Sequence, residues 1–326
     1  LSADGTLIPC QPKALFVGCY IIGHLTYMRI NKKKGHLQDW ITQVWVKLTG
    51  RKFNPEKENW LVGPIGDTDI IKDKFIQVLA NQDNLEIMQN QNGVGLLDNF
   101  NDLHLSPDEE KLINPKVVDF YEKTSNYNFE IWSEWCGFFK PFGWLLSVIF
   151  SKRLQQLNLP LNSLQSAKGI DSNIIKLVNK SNNKSKWTIW YRILKSTNDV
   201  IYSGVYTTCD LPNISGRFLK VVFPLPNGNA TVIMRKEILK DGSLKLSSDG
   251  KKFGDNGFYF TLTNHKGKYW TRFVKSMHEW ITVYVDEDNI LRADHNLKFY
   301  GLRFLNLHYK MTEKYSNQQG VLRQRG

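Results

Sequence analysis

From about Lys186 to residue 310 the hydrophobic period is two and turn signals interrupt it at short intervals, which commits this half of the chain to an antiparallel sheet. Trp187, Ile189, Tyr191 and Ile193 alternate with polar or mixed positions; Val200 to Thr208 and Arg217 to Phe223 are rich in β-branched and aromatic residues. Asn198-Asp199, Asn227-Gly228, Asp241-Gly242, Asp249-Gly250, Asp255-Asn256-Gly257, Lys266-Gly267 and Asp286 to Asn289 supply the breaks. Roughly eight or nine strands fit between 186 and 310. A strongly curved sheet or an up-and-down β-barrel is the economical way to bury one face of so many strands. Asn227-Gly228 is the strongest hairpin signal, with Pro224 and Pro226 forbidding regular pairing just before the turn. The polar stretch Asn179 to Ser185 reads as the turn or linker that leads into the sheet.

The region 28–160 has a different period. Leu37, Trp40, Ile41, Val44, Trp45 and Leu48 recur at helical spacing and Gly50 follows, which predicts an amphipathic helix with a glycine stop. A second helix is expected from Asp67 or Thr68, with Ile70, Ile71, Phe75, Val78 and Leu79 on one side. Ser106-Pro107 and Asn114-Pro115 each set a capping side chain before a proline at the first helical position. Pro141 opens a further apolar stretch through Trp144 that Pro160 ends. The fold class expected is α+β: a mainly helical region 28–160 packed on an antiparallel sheet or barrel at 186–310, with a polar tail at 311–326. Residues 1–27 read as a non-native or flexible leader before Met28, because they lack the charge texture of the rest.

The runs Phe223-Pro224-Leu225-Pro226-Asn227-Gly228, Phe253 to Phe260 and Tyr284-Val285-Asp286, with Leu154 to Asn158 upstream, resemble an uncharacterised family of bacterial proteins. The similarity covers most of the chain after about residue 60. The resemblance implies a bacterial-type protein and no particular chemistry, since that family has no established activity, cofactor or active site.

Charge narrows the classes of function. The 326 residues carry 43 Lys and Arg against 31 Asp and Glu, a formal charge of +12. Residues 28–160 hold 16 basic and 17 acidic side chains, residues 161–326 hold 26 and 13, so the excess belongs to the β-rich half. Cys10, Cys19, Cys136 and Cys209 are scattered and match no zinc-ligand spacing. No Walker A sequence, G-x-G-x-x-G fingerprint or G-x-S-x-G elbow is present, so no cofactor is expected. No run of about 18 apolar residues occurs, which points to a cytoplasmic protein, at most peripheral to a membrane.

The chemistry-bearing positions cluster on one late hairpin. Met277, Glu279, Ile281, Val283 and Val285 form a strand face that is apolar except for Glu279. Leu291, Ala293, His295, Leu297 and Phe299 form another that is apolar except for His295. If Val283 pairs with Leu291 the two ionisable groups are directly opposite; if Val285 does, they are diagonal, and either register permits contact. Arg272, flanked by Trp270, could join them from the preceding strand, and His308 could face the same interior. An Arg, Glu and His group among apolar strands suits a carboxylate or phosphate head group.

The first reading is therefore a non-enzymatic binding protein for a small amphipathic or lipid-like ligand held near Arg272, Glu279, His295, Trp270 and His308. One alternative is a hydrolase- or isomerase-like enzyme in which His295 is the general base oriented by Glu279. Another is binding of single-stranded nucleic acid, or of an anionic membrane surface, through the basic half. No metal site is expected.

Overall fold

The computed structural model describes residues 37–314, apart from Asp69, Asn90, Phe138, Lys140, residues 142–168 and His265. The leader, the Trp144 segment and most of the tail lie outside the described residues. The helices are α1 (Leu37–Thr49), α2 (Lys74–Asp83), α3 (Pro107–Leu112) and α4 (Pro115–Glu122). The strands are β1 (Arg51–Phe53), β2 (Leu85–Met88), β3 (Tyr127–Trp135), β4 (Ile170–Asn179), β5 (Ser185–Leu194), β6 (Val200–Asp210) and β7 (Arg217–Leu225). They continue as β8 (Gly228–Ile238), β9 (Leu244–Ser247), β10 (Gly257–Thr263), β11 (Tyr269–Phe273), β12 (Met277–Val285), β13 (Leu291–Phe299) and β14 (Leu302–Glu313).

All fourteen strands join one sheet, in the order β2-β4-β5-β6-β7-β8-β9-β12-β13-β14-β3, with β10 bridging β8 to β11 and β11 pairing β1. The expected α+β class holds in part, since the described residues are mostly β with a few helices. Of the two expected forms the sheet takes the curved, open one and not the closed barrel: β3 and β4 run near one another, but no ladder joins them among the described residues. Ten strands fall between Ser185 and Glu313 because β9 and β11, of four and five residues, are too short to show a clear alternation.

The sheet curls until its concave face closes on itself. Trp190, Leu219, Val232, Val283, Leu307 and Tyr309, from strands far apart in the order, share one buried cluster with Val117 and Phe120 of α4. The outer face is not left to water everywhere. Phe75, Ile76 and Leu79 of α2 cover Ile189, Val205 and Val222, so β5 to β7 are buried on both sides. A third cluster sets Trp60 and Leu61 against Phe218, Ile233 and Tyr259.

Local signals explain the boundaries. Helix α2 starts at Lys74 and not at Asp67, because Lys72 takes a left-handed conformation (φ 41°) that ends any earlier helical run. Asn179 to Ser185 is a hairpin turn inside the sheet, between β4 and β5, with Asn183 at φ 54°. In the β7–β8 hairpin the central residues are Pro226-Asn227: Leu225 pairs with Gly228, and Asn227 takes the positive φ of 60°. Pairing runs through Pro224, contrary to expectation. Pro224 lies past the last β6–β7 pair, Val205 with Val222, so its missing N–H deletes no bond on that edge. Gly228 is needed for close approach, since a Cβ there would stand 2.0 Å from the Thr261 carbonyl oxygen of β10.

Helices α3 and α4 begin where the capping pairs place them. Ser106 accepts from the Glu109 N–H while Glu109 reaches back to the Ser106 N–H, a reciprocal cap. Glu109 also holds Lys236 of β8 at 3.0 Å. Because α3 buries none of its own residues, the cap carries much of its stability. Ser106→Ala should cost about 1 kcal/mol in urea unfolding, with Ser106→Asp costing less; equal losses would show that the cap is not the operative contact.

Candidate functional site

On the concave face β12 and β13 pair with Val285 opposite Leu291, so His295 lies across from Ile281 and diagonal to Glu279. Contact is made: His295 Nε2 is 2.8 Å from Glu279 Oε2. Glu279 is buried and His295 is half-buried. The Glu279 backbone is fixed at the same time, its N–H donating to Ser248 Oγ at 2.9 Å and its carbonyl accepting from the Ser248 N–H at 3.0 Å.

The sheet's curvature brings a second group to this pair from β5, β6 and β14. Arg192 is 4% exposed, with its guanidinium 4.2 Å from the Trp190 ring, 4.3 Å from Tyr202 and 5.6 Å from Tyr309. Tyr202 and Tyr206 share a hydroxyl–hydroxyl hydrogen bond of 2.7 Å. Burial pushes the phenols of Tyr202, Tyr206 and Tyr309 above the ordinary tyrosine range, and Glu279 pushes each the same way, while Arg192 offsets part of that rise. Arg192 Nε is buried with no hydrogen-bond partner among the described residues. A hydrogen-bond donor so placed favours an acceptor, and an anionic one most.

Sequence patterning missed Arg192, Tyr202, Tyr206 and Tyr309. The only available signal was the Trp190-Arg192-Leu194 alternation on β5, the strand face opposite the one read as buried. Both faces of that strand are covered, so period-two patterning could not rank them.

Arg272 and Trp270 do not join the pair. Arg272 donates to the Thr49 carbonyl at the end of α1, and Lys47 Nζ stands 5.6 Å over the Trp270 ring. Arg272 instead lines a separate open cleft of 530 Å³ with Trp45, Lys275, His278 and Tyr300. His308 lies on the convex side, because Leu305, Leu307 and Tyr309 face inward beyond a register shift at Leu297/Lys298. There His308 Nδ1 meets Asp294 Oδ1 at 2.6 Å and the ring lies 5.8 Å from Trp132. Among the described residues no group of three or more His, Cys, Asp or Glu is arranged to hold a metal ion.

An open antiparallel sheet folded over a buried arginine, tyrosine, glutamate and histidine group thus defines the class of protein. The chain is similar to a protein named "Uncharacterized membrane protein YndJ" from Bacillus subtilis (strain 168), at 26% identity over 236 residues. That stretch is 70% of this chain and 40% of the relative, so the chain spans less than half of that protein. This agrees with the resemblance to uncharacterised bacterial proteins without an established activity. No family model matches the chain. No solved structure matches it either. Among the described residues no helix is long and apolar enough to cross a membrane.

Proposed function

We propose that the concave face binds a small amphipathic, lipid-like acid, with its head group at Arg192, Tyr202, Tyr206 and the Glu279–His295 pair. The observation that carries this reading is Arg192: a buried guanidinium set among Trp190, Tyr202 and Tyr309, hydrogen-bonded to Tyr309 but with its Nε–H left without an acceptor among the described residues. Leaving a charged donor incompletely satisfied is costly, and a carboxylate or phosphate head group relieves that cost. Partly buried Phe223, Met277, Ile281 and Phe304 border the same cluster and offer apolar contact to a tail. His295 is the more open of the pair, its side chain 16% exposed against 7% for Glu279. The relative is named a membrane protein, a setting that supplies such molecules.

Calorimetric titration with dodecanoate and with decyl phosphate tests the reading. Binding of at least one should weaken about tenfold or more in Arg192→Met, the worth of a charge-assisted hydrogen bond, and stay unchanged in His308→Ala on the other face. No binding of either compound, or equal affinity in Arg192→Met, sinks the proposal.

A further inference from the structure

Helix α1 is turned against its own amphipathicity. Its apolar stripe contains Trp40, Ile41, Val44, Trp45 and Leu48, the pattern that normally faces a core. The side lying on the sheet is instead mostly polar: Asp39 and Val46 are buried, and Gln43 Nε2 donates to the Pro226 carbonyl at 3.4 Å. Asp39, Thr42, Gln43 and Val46 enclose a cavity of only 60 Å³ with Phe260 and Leu225. Most of the stripe therefore faces outward, with Trp40 59%, Ile41 58% and Leu48 79% exposed, while Val44 is half-buried and Trp45, 37% exposed, leans edge-on against Phe260 of β10.

The patch does not end with the helix. Trp45 forms one wall of the 530 Å³ cleft and Tyr300, at the exposed β13–β14 turn, forms another, with Phe299 and Leu302 exposed on either side of that turn. The rest of the cleft carries Arg272, Lys275 and His278, and no carboxylate lines it among the described residues. Lys47, on the same helix, and Lys52, just after it, are exposed. Large exposed apolar patches mark interaction sites. Tryptophan and tyrosine beside aliphatic side chains, rimmed by cations, match a bilayer interface with anionic lipids. Ile41 and Leu48 are aliphatic knobs on a convex helix, which a stacking nucleic acid does not use.

We propose that helix α1 and the Arg272–Lys275 cleft form a docking surface for an anionic lipid bilayer. Trp40, Ile41 and Leu48 enter the acyl boundary, and the cleft takes a lipid phosphate. This is independent of the concave-face reading.

The test is co-sedimentation of the full chain with phosphatidylcholine vesicles, with and without phosphatidylglycerol. Binding should require phosphatidylglycerol and fall about tenfold or more in Trp40→Gln with Leu48→Gln. It should also weaken in Lys47→Gln with Lys275→Gln, while thermal unfolding of both variants stays near the parent's because all four side chains are at the surface. At matched ionic strength, inorganic phosphate should release no more protein from vesicles than chloride does, because the inserted apolar side chains hold it there; release by phosphate alone overturns the bilayer as the occupant. No binding to phosphatidylglycerol vesicles overturns the proposal, as does parental binding by the Trp40/Leu48 variant. A dimer that this variant dissociates, without vesicle binding by the parent, overturns it too and makes the patch a contact between copies.

Discussion

Trp190→Ala should lower unfolding free energy by about 3–5 kcal/mol, the cost of removing a large aromatic side chain from a packed core. Trp190 is one of the side chains through which the curled sheet holds to itself. Its ring lies 5.2 Å from Phe129 of β3 and 6.3 Å from Phe120 of α4. On its own side it meets Tyr206 at 5.9 Å and Arg192 at 4.2 Å, and its indole N–H donates to Ser172 Oγ at 2.7 Å. No ladder closes β3 onto β4 among the described residues, so these ring contacts replace backbone bonds across the gap. A domain is typically stable by about 5–15 kcal/mol, so the loss is a large share of the total. Trp132→Ala, on the exposed face of β3, should cost less than about 1 kcal/mol. Urea midpoints that fall equally in both variants would refute the central role of Trp190.

Stability should rise by about 2 kcal/mol between pH 7 and about 9.5 because of one buried lysine. Lys220 lies beneath the loop of Trp60 to Val62, donates to the Val62 carbonyl, and is 2% exposed. Burial pushes its ammonium from the ordinary 10.5 down to about 8. Between those values the unfolded chain binds the proton and the folded one does not, so stability increases with pH. Below about 8 both states are charged and the folded state bears the full desolvation, about 3 kcal/mol. From about pH 9.5 the tyrosines oppose the trend, because Tyr121, Tyr127 and Tyr206 are buried with raised phenol pKa values and ionise first in the unfolded chain. Lys220→Met should remove the rise and make the protein about 1–2 kcal/mol more stable at pH 7. A parent whose stability does not change from pH 7 to 9.5 would show that Lys220 is not desolvated.

How much of this was legible in the chain differs from element to element. The caps at Ser106 and Asn114 act over three residues, so they were readable in place, and the late hairpin's two polar interruptions were readable for the same reason. The Glu279–His295 contact followed from alternation alone because both plausible registers allowed it. Arg272 was assigned to that pair by proximity in sequence. The sheet separates them, since β11 leaves the main strand order to pair with β10 and β1. Arg192 entered the site from roughly ninety residues upstream, brought there only by the curl of the whole sheet.

Helix α1 states the division most clearly. Local spacing alone determined that residues 37–49 form an amphipathic helix, that the C-terminal half alternates into antiparallel strands, and that the positive charge lies with those strands. Periodicity gives the phase of a stripe but not the surface it meets. Only the tertiary structure decided that most of the α1 stripe faces outward, that both faces of β5 are buried, and that an open sheet encloses Arg192 with Glu279. Each of these depends on which distant segment arrives to cover a face, and that is a property of the assembled packing rather than of any window of residues.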